Sequence, residues 1–211
     1  MKPKLAVLIS GRGSNLQAVL DASKMVGFPG EVAVVISNRR DAYGLERARK
    51  AGVEALWIPH RKKTREEHEK EVIASLEKRG VQWICLAGYM RVLTPLFLDA
   101  FPNRIINIHP SLLPAFPGVD AQGQAYRYGV KLAGATVHFV DSGTDTGAII
   151  LQGATSVAST DSLDDLKSKI LAIEHSILPK ALSWAISGDL DINGRSVHHK
   201  KNKEQWVYSV S

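Results

Sequence analysis

The chain has 211 residues, of which 45% are hydrophobic and 23% are charged, with a formal net charge of +6 at pH 7 and a pI of about 9.4. These are the proportions of an ordinary globular protein that is long enough to bury a sizeable core. The single cysteine, Cys85, excludes an intramolecular disulfide and fits a reducing compartment. The basic balance permits a nucleic-acid partner, but it equally suits an enzyme that acts on anionic substrates.

Apolar runs typical of buried strands cover residues 5–10, 32–37, 53–58, 83–87 and 104–107. Segments with helical periodicity alternate with them at residues 15–26, at residues 43–51 and after Thr64-x-x-Glu67, a capping box that opens a helix with Val72, Ile73 and Leu76 facing the core. No apolar stretch approaches membrane-spanning length. The alternation predicts an α/β fold, a mostly parallel twisted sheet with helices on both faces.

The regular alternation of predicted strands and helices ends after His109. A proline-rich loop at residues 110–118 leads to a predicted helix at residues 121–128. Two β-rich runs, at residues 135–140 and 148–157, are predicted to extend the sheet with antiparallel strands. A long helix is predicted at residues 161–187, because apolar residues recur there at spacings of three and four: Leu163, Leu166, Ile170, Ile173 and Ile177.

Residues 107–114 read Asn-Ile-His-Pro-Ser-Leu-Leu-Pro and follow the fifth apolar run. Side chains alternate along a strand, so Asn107 and His109 are expected on the same side. Pro110 has no N–H to donate and ends the strand. An amide beside an imidazole suits acyl-group transfer, because the amide donates to a developing oxyanion and the imidazole moves or donates a proton. A histidine satisfied within the core is the alternative for His109.

An acidic, glycine-containing loop at residues 140–147 follows later in the chain and is a candidate to bring a carboxylate to His109. The loop holds two aspartates, Asp141 and Asp145. Local sequence does not choose between them.

Residues 10–16 read Ser-Gly-Arg-Gly-Ser-Asn-Leu and lie between the first predicted strand and the first predicted helix. Glycines there allow a tight turn and close approach of a ligand, and the free N–H groups of the helix start suit a phosphate. The dinucleotide-binding fingerprint requires a third glycine where this chain has Leu16. A tight turn without a ligand is the alternative.

These motifs resemble those of the folate-dependent formyltransferases, in which Asn-x-His-Pro-Ser-Leu-Leu-Pro precedes a downstream aspartate. The glycine loop, residues 86–93 (Leu-Ala-Gly-Tyr-Met-Arg-Val-Leu) and residues 149–152 (Ile-Ile-Leu-Gln) narrow the resemblance to the phosphoribosylglycinamide formyltransferases. The motifs occur in the expected order, and the resemblance runs from about residue 4 to about residue 190. It implies a Rossmann-like fold of the formyltransferase type.

The resemblance implies a catalytic set of three residues: Asn107, His109 and Asp145. It favours Asp145 over Asp141, because Asp145 stands at the expected distance before the motif at residues 149–152. The family often has a proline where this chain has Ala148.

The resemblance also implies substrate-binding residues. Those for the nucleotide substrate are Gly13, Ser14 and Asn15 at its phosphate and Glu174 at its ribose. Those for the folate are Arg65, Met90, Arg91, Val92, Leu93, Asn107, Asp141 and Asp145. Some of these residues have alternatives that involve no ligand. Arg65 is then a surface arginine at a helix start, Glu174 an acid at the edge of an apolar stripe, and Val92 and Leu93 ordinary packing residues.

No linker divides the chain, so we expect a single formyltransferase domain over residues 1–211, with a nucleotide-binding half at 1–100, a folate-binding and catalytic half at 101–190, and a basic tail at 191–211. The resemblance implies formyl transfer from 10-formyltetrahydrofolate, as co-substrate, to the amine of glycinamide ribonucleotide in purine biosynthesis. It implies a cytoplasmic enzyme that needs no metal and is a monomer or homodimer. Neither a nucleic-acid nor a membrane partner is expected.

Three other functions match the motifs of this chain less well. Methionyl-tRNA formyltransferase would need a carboxyl-terminal tRNA-binding domain, and formyltetrahydrofolate hydrolase usually carries an amino-terminal regulatory domain; we expect neither here. An NADP- or nucleotide-binding module would use the glycine loop together with Arg39 and Arg40. The missing third glycine and the Asn107–His109 pair argue against such a module.

Overall fold

The computed structural model describes residues 1–201 and 207–209. The chain divides into two compact units, Met1–Asn107 and Ile108–Ser211. The strand Ile105–His109 crosses the boundary, so that its first three residues belong to the first unit and its last two to the second. Within the described ranges, no helix is long and apolar enough to cross a membrane.

The first unit alternates strands and helices along the chain. Its strands are β1 (Lys4–Ile9), β2 (Glu31–Ser37), β3 (Glu54–Trp57), β4 (Trp83–Leu86) and the start of β5 (Ile105–His109). Its helices are α1 (Ser14–Ser23), α2 (Gly44–Lys50), α3 (Arg65–Lys78) and α4 (Pro95–Ala100). All the strand pairs are parallel, in the order β5-β4-β1-β2-β3.

The apolar runs form these strands because both faces of the sheet are covered. Every residue from Leu5 to Ile9 of β1 is fully buried, as expected for a central parallel strand. Helix α1 contributes Leu16, Val19 and Leu20 to the same core, at the helical spacing of three and four.

The register places the carboxyl ends of the strands at one edge of the sheet. Ile9 of β1 pairs with Ser37 of β2, and Ser37 pairs with Trp57 of β3. On the other side, Leu8 of β1 pairs with Leu86 of β4. The loops that follow these strands therefore gather at this edge, where ligands bind in open α/β sheets.

The second unit begins with the end of β5 and has a different topology. Its elements are α5 (Ala121–Tyr128), β6 (Leu132–Phe139), β7 (Ile149–Ser156), α6 (Leu163–Ile186), β8 (Leu190–Asn193), β9 (Ser196–His199) and β10 (Val207–Ser209). Strands β6 and β7 are antiparallel, and β10 is parallel to β7. Strands β8 and β9 form a separate antiparallel hairpin.

Helix α6 is the long helix that packs against β6 and β7. It begins with a capping box, in which the Ser162 side chain accepts from the Asp165 amide and the Asp165 carboxylate accepts from the Ser162 amide. Its buried face includes Leu166, Ile170 and Ile177, which fulfils the predicted periodicity.

The predicted α/β fold class with a mostly parallel sheet is confirmed, as is the antiparallel extension by β6 and β7. The capping box at Thr64 and Glu67 is present. Cys85 lies in β4, where burial raises the pKa of its thiol to about 12, so that the thiol is a protonated part of the core.

Other details differ from the predictions. Helix α1 ends at Ser23 rather than near Val26, and Ile73 of α3 is only half-buried. Helix α4 was not predicted, because it is a single short segment with only Phe97 fully buried.

The predicted basic tail is partly ordered structure, since β8 and β9 form a hairpin around the two-residue loop Gly194–Arg195. Gly194 takes the first position of this loop with a φ of 57°, and glycine in a two-residue loop between two short strands is a hairpin signal. Residues 202–206 and 210–211 of the predicted tail lie outside the described residues.

Candidate active site

The glycine loop joins β1 to α1 in a fixed shape. Gly13 is the N-cap of α1 with a left-handed backbone (φ 72°), a conformation that favours glycine. A Cβ atom at Gly13 would lie 2.8 Å from the Cα of Gly44. The Gly44 amide donates to the Gly11 carbonyl (3.1 Å), and Arg47 Nε donates to the Arg12 carbonyl (2.9 Å). These contacts hold the loop against the start of α2. The backbone of Gly13, which carries no side chain, leads directly into the first turn of α1.

A cavity of about 380 Å³ lies beside this loop. It is lined by Ser10, Gly11, Arg12, Gly13, Ser14, Asn15, Arg39, Ala87, Gly88 and Met90. The three residues predicted to hold a phosphate thus line one cavity at the start of a helix, where free N–H groups favour an anion. Glu174, the fourth predicted nucleotide ligand, lies in the second unit and is buried on α6 rather than partly exposed.

The predicted folate segment after β4 mixes exposed and buried side chains. Met90 is 71% exposed and Val92 is 50% exposed, whereas Leu93 is buried. The Met90 amide donates to Ser10 Oγ (2.9 Å), which fixes the start of the segment. Arg65, the first residue of α3, is exposed. Met90 and Val92 are therefore available to a ligand, while the Leu93 side chain serves the core.

His109 ends β5 with a partner at each ring nitrogen. Nδ1 lies 3.2 Å from Oδ2 of Asp145, and Nε2 lies 2.9 Å from the carbonyl oxygen of Phe116. The histidine is buried, and Asn107 precedes it by two positions on the same strand, so their side chains leave the same face. Because both neighbours are acceptors, the ring donates to both only as the imidazolium.

Asp145 lies in the loop between β6 and β7 with a left-handed backbone (φ 54°), which is unusual for a residue other than glycine. Its Oδ2 accepts from the Gly118 amide (2.8 Å), and its Oδ1 lies 3.7 Å from Nε2 of His138. Burial raises the pKa of the Asp145 carboxyl, but the interactions with His138, the Gly118 amide and His109 outweigh it, so the pKa lies below its ordinary value. Asp145 is therefore ionised at neutral pH.

Asp141 has a different position in the same loop. Its Oδ1 accepts from the Gly143 amide (3.1 Å) and from Thr146 Oγ1 (2.6 Å), and the residue is exposed. It closes a local turn of the loop, whereas Asp145 reaches the histidine. The structure thus separates two carboxylates that local sequence left equivalent.

The loop with Asp145 is closely tied to β6. A Cβ atom at Gly147 would lie 1.7 Å from the Phe139 carbonyl oxygen, so only glycine fits there. The Phe139 amide donates to the Ala148 carbonyl (2.9 Å). These contacts hold the loop although Ala148 replaces the proline common in the family.

Sequence reasoning missed two polar residues of β6, Thr136 and His138. Thr136 Oγ1 donates to the Ser111 carbonyl (2.6 Å) and accepts from the Leu113 amide (3.0 Å), so it holds the loop that follows His109. His138 is fully buried, and its Nδ1 lies 2.7 Å from the Phe139 carbonyl oxygen. The available signal was two polar residues at alternate positions in an otherwise apolar strand.

The described part of the chain contains no group of three or more His, Cys, Asp or Glu side chains that could hold a metal ion.

A family model described as formyl transferase matches residues 3–182. The chain belongs to the formyl transferase family. The expectation drawn from the motifs is thus confirmed at the level of the family, and the matched range includes both the glycine loop and the residues around His109 and Asp145.

Among individual relatives, the chain is 42% identical over 190 residues to phosphoribosylglycinamide formyltransferase of Escherichia coli (strain K12), covering 90% of each chain. It is 45% identical over 190 residues to the trifunctional purine biosynthetic protein adenosine-3 of Drosophila melanogaster. That alignment covers 89% of this chain but only 14% of the trifunctional protein. The chain thus resembles one part of the large relatives and nearly the whole of the bacterial one.

Solved structures of this family have the same fold. Glycinamide ribonucleotide transformylase 1 from Symbiobacterium toebii is 53% identical with a TM-score of 0.92, covering 94% of both chains. Phosphoribosylglycinamide formyltransferase from Anaplasma phagocytophilum is 35% identical with a TM-score of 0.93, covering 100% of both chains.

Proposed function

We propose that this formyltransferase moves the formyl group of 10-formyltetrahydrofolate to the amine of glycinamide ribonucleotide, a step of purine biosynthesis. The observation that carries the proposal is the buried His109–Asp145 pair at the end of β5, in a family member whose relatives bear this activity in their names. We further propose that the enzyme is cytoplasmic, requires no metal, and acts as a monomer or homodimer.

In the proposed reaction, the amine nitrogen of the ribonucleotide attacks the formyl carbon and forms a tetrahedral oxyanion. The bond from that carbon to the folate nitrogen then breaks, and a proton passes from the attacking amine to the leaving nitrogen. Asn107 and His109 stabilise the oxyanion by donating hydrogen bonds, which is usually the largest contribution in acyl transfer.

The contacts of His109 support different roles for its two ring nitrogens, one in holding the ring and one in the reaction. Nε2 is anchored to the Phe116 carbonyl, so the oxyanion is proposed to share the Nδ1 hydrogen with the Asp145 carboxylate. The ionised Asp145 carboxylate lies 3.2 Å from Nδ1, where it accepts a hydrogen bond when that nitrogen carries the proton. The same carboxylate organises a water molecule that carries the proton between the two nitrogens of the substrates.

The proposal assigns a set of binding residues to each substrate. The phosphate of the ribonucleotide is bound at Gly13, Ser14 and Asn15, and its ribose by Glu174. The folate is bound by Arg65, Met90, Arg91, Val92, Asn107, Asp141 and Asp145, and by the backbone of Leu93, whose side chain lies in the core. The cavity beside the glycine loop and the exposure of Met90 and Val92 support these assignments.

The function is tested by whether consumption of formyl-folate depends on the acceptor. We expect 10-formyltetrahydrofolate to be consumed only when glycinamide ribonucleotide is present, with one formylated product for each folate released. Spectroscopic release of tetrahydrofolate, with chromatography of the product, measures both. Equal consumption without the ribonucleotide would identify a formyltetrahydrofolate hydrolase instead, and saturable binding of NADP alone would favour an NADP-binding module.

The folate assignment predicts a protection pattern in hydrogen exchange. A non-reactive 10-formyl-folate analogue should slow exchange in peptides that cover residues 90–93 and 141–145, because both segments would line its site. Exchange followed by mass spectrometry, with and without the analogue, provides the measurement. The Met90 amide already donates to Ser10 Oγ, so the change is expected mainly beyond it. Protection confined to residues 11–15 would contradict the assignment.

A further inference from the structure

A second, larger cavity of about 710 Å³ lies at the carboxyl ends of β1, β2 and β3. This volume is within the range of roughly 300–1,000 Å³ that is usual for small-molecule sites. The cavity includes Arg39 and Arg40, the pair that the sequence singled out; of the two, Arg40 does not line the cavity of the glycine loop.

The floor of this cavity is an ordered polar network that joins the ends of the strands. Ser10 Oγ donates to Asn38 Oδ1 (2.7 Å), and both residues are buried. His60 Nδ1 lies 3.0 Å from the Asn38 carbonyl oxygen and 3.3 Å from its side-chain nitrogen. Since these groups fix one another, the floor is preorganised before any ligand arrives.

The wall of the cavity is aromatic. Trp57, the last residue of β3, is 46% exposed although it is the largest apolar side chain at this edge. The guanidinium of Arg40 lies 5.6 Å from the centre of the Trp57 ring, in a cation–π arrangement. A planar ring that enters the cavity would meet a flat aromatic face and a stacking cation.

The rim carries more positive than negative charge. Arg39, Arg40 and Arg61 line the cavity. Against these three cations stands the Asp41 carboxylate, which is paired with Arg39 at 3.0 Å on the exposed surface. Guanidinium groups are well suited to phosphate, because they donate two parallel hydrogen bonds to it.

We propose that this cavity binds a nucleoside monophosphate, with its base on Trp57 and Arg40 and its phosphate at Arg61. This site adjoins the cavity of the glycine loop, because Ser10, Arg39 and Met90 line both, but its binding groups are distinct, since Trp57, Arg40 and Arg61 do not line that cavity. Glycinamide ribonucleotide carries no aromatic base to use the Trp57 face. The proposal thus goes beyond formyl transfer and stands independently of it.

Calorimetric titration of the full chain with AMP tests the proposal. We expect saturable binding that is weakened about tenfold or more in Trp57→Leu and in Arg40→Gln, the scale of one base-stacking contact. Adenosine, which lacks the phosphate, and ribose 5-phosphate, which lacks the base, should each bind at least about tenfold more weakly than AMP, the loss of one strong contact. Saturating glycinamide ribonucleotide should leave the AMP affinity unchanged.

Arg49→Gln is the matched control, because Arg49 is an exposed, ion-paired arginine of α2 that does not line the cavity. It should keep the AMP affinity of the unmodified chain. Circular dichroism checks the folding of each variant, and Arg61→Gln replaces any variant that does not fold. The formyl-transfer activity of Trp57→Leu should be unchanged.

Three outcomes would overturn the proposal: no saturable AMP binding at millimolar concentration, displacement of AMP by glycinamide ribonucleotide, or equal affinity in Trp57→Leu, Arg40→Gln and Arg49→Gln. Displacement would place AMP in the substrate site. If the unmodified chain binds AMP but shows no formyl transfer, the proposed function is refuted and the AMP site is not.

Discussion

Asp145→Asn is expected to lower kcat by about 10²-fold or more, the scale of one acid–base contribution. The substitution preserves size and removes the charge that lies 3.2 Å from His109 Nδ1. It also removes the carboxylate that would organise the proton-carrying water. Binding of both substrates should change little, because the lost interaction acts mainly at the transition state.

The fold should survive this substitution, since an asparagine oxygen can still accept from the Gly118 amide. Steady-state kinetics with each substrate varied in turn separates kcat from KM. The carboxyl of Asp145 has a lowered pKa, so its charge is present above its unfolded pKa and is lost only as the pH falls through the lower, folded value. The deficit of the variant should therefore persist throughout the neutral range.

Asp141→Asn is the matched control, because it makes the same chemical change in the same loop. Asparagine can still accept from the Gly143 amide and from Thr146 Oγ1, so the loop should keep its shape. We expect kcat to stay within about threefold, with any loss confined to the folate KM, because Asp141 is proposed to bind the folate away from the reacting atoms. Near-normal kcat in Asp145→Asn with loss of activity in Asp141→Asn would show that the carboxylate partner of His109 is wrongly assigned.

A double variant tests whether the two residues act as one unit. His109→Asn should lower kcat on the same scale as Asp145→Asn. The combined variant should lose less than the product of the two single effects, because each single change already disables the shared interaction. Fully multiplicative effects would mean that the two residues act separately.

Gly13→Val is expected to raise the KM for glycinamide ribonucleotide by about 10²-fold or more, far more than the KM for the folate, since several charge-assisted hydrogen bonds to one phosphate would be lost. Two features cause the effect. Gly13 has a φ of 72°, which a β-branched residue rarely adopts, and a Cβ atom there would lie 2.8 Å from Gly44. The loop would have to move away from the start of α1, where the phosphate is proposed to bind.

Gly11→Ala is the control for this prediction. A Cβ atom at Gly11 meets nothing within 4 Å, and Gly11 is not among the glycines of positive φ, so the fold should tolerate alanine. Initial-rate kinetics and thermal unfolding of both variants distinguish ligand loss from unfolding. A folded Gly13→Val variant with an unchanged nucleotide KM would rule out this loop as the phosphate site.

The sequence alone determined the architecture and the family. Apolar runs that alternate with helical periods require a mostly parallel sheet, because each strand must be covered on both faces and each helix on one. The motifs around residues 10–16, 86–93 and 107–114 are local, so their order identified the formyl transferase family without any coordinates. The relation of Asn107 to His109 also followed from the sequence, since the two lie on one strand.

Tertiary structure decided what depends on contacts between distant segments. Asp145 rather than Asp141 reaches His109, and Thr136 and His138 support the loops on either side of that contact. The cavity lined by Trp57 and Arg40 likewise exists only because the register brings the ends of separate strands to one edge. Such contacts arise from the burial and packing of whole elements, so a local pattern cannot fix which of two equivalent carboxylates faces inward.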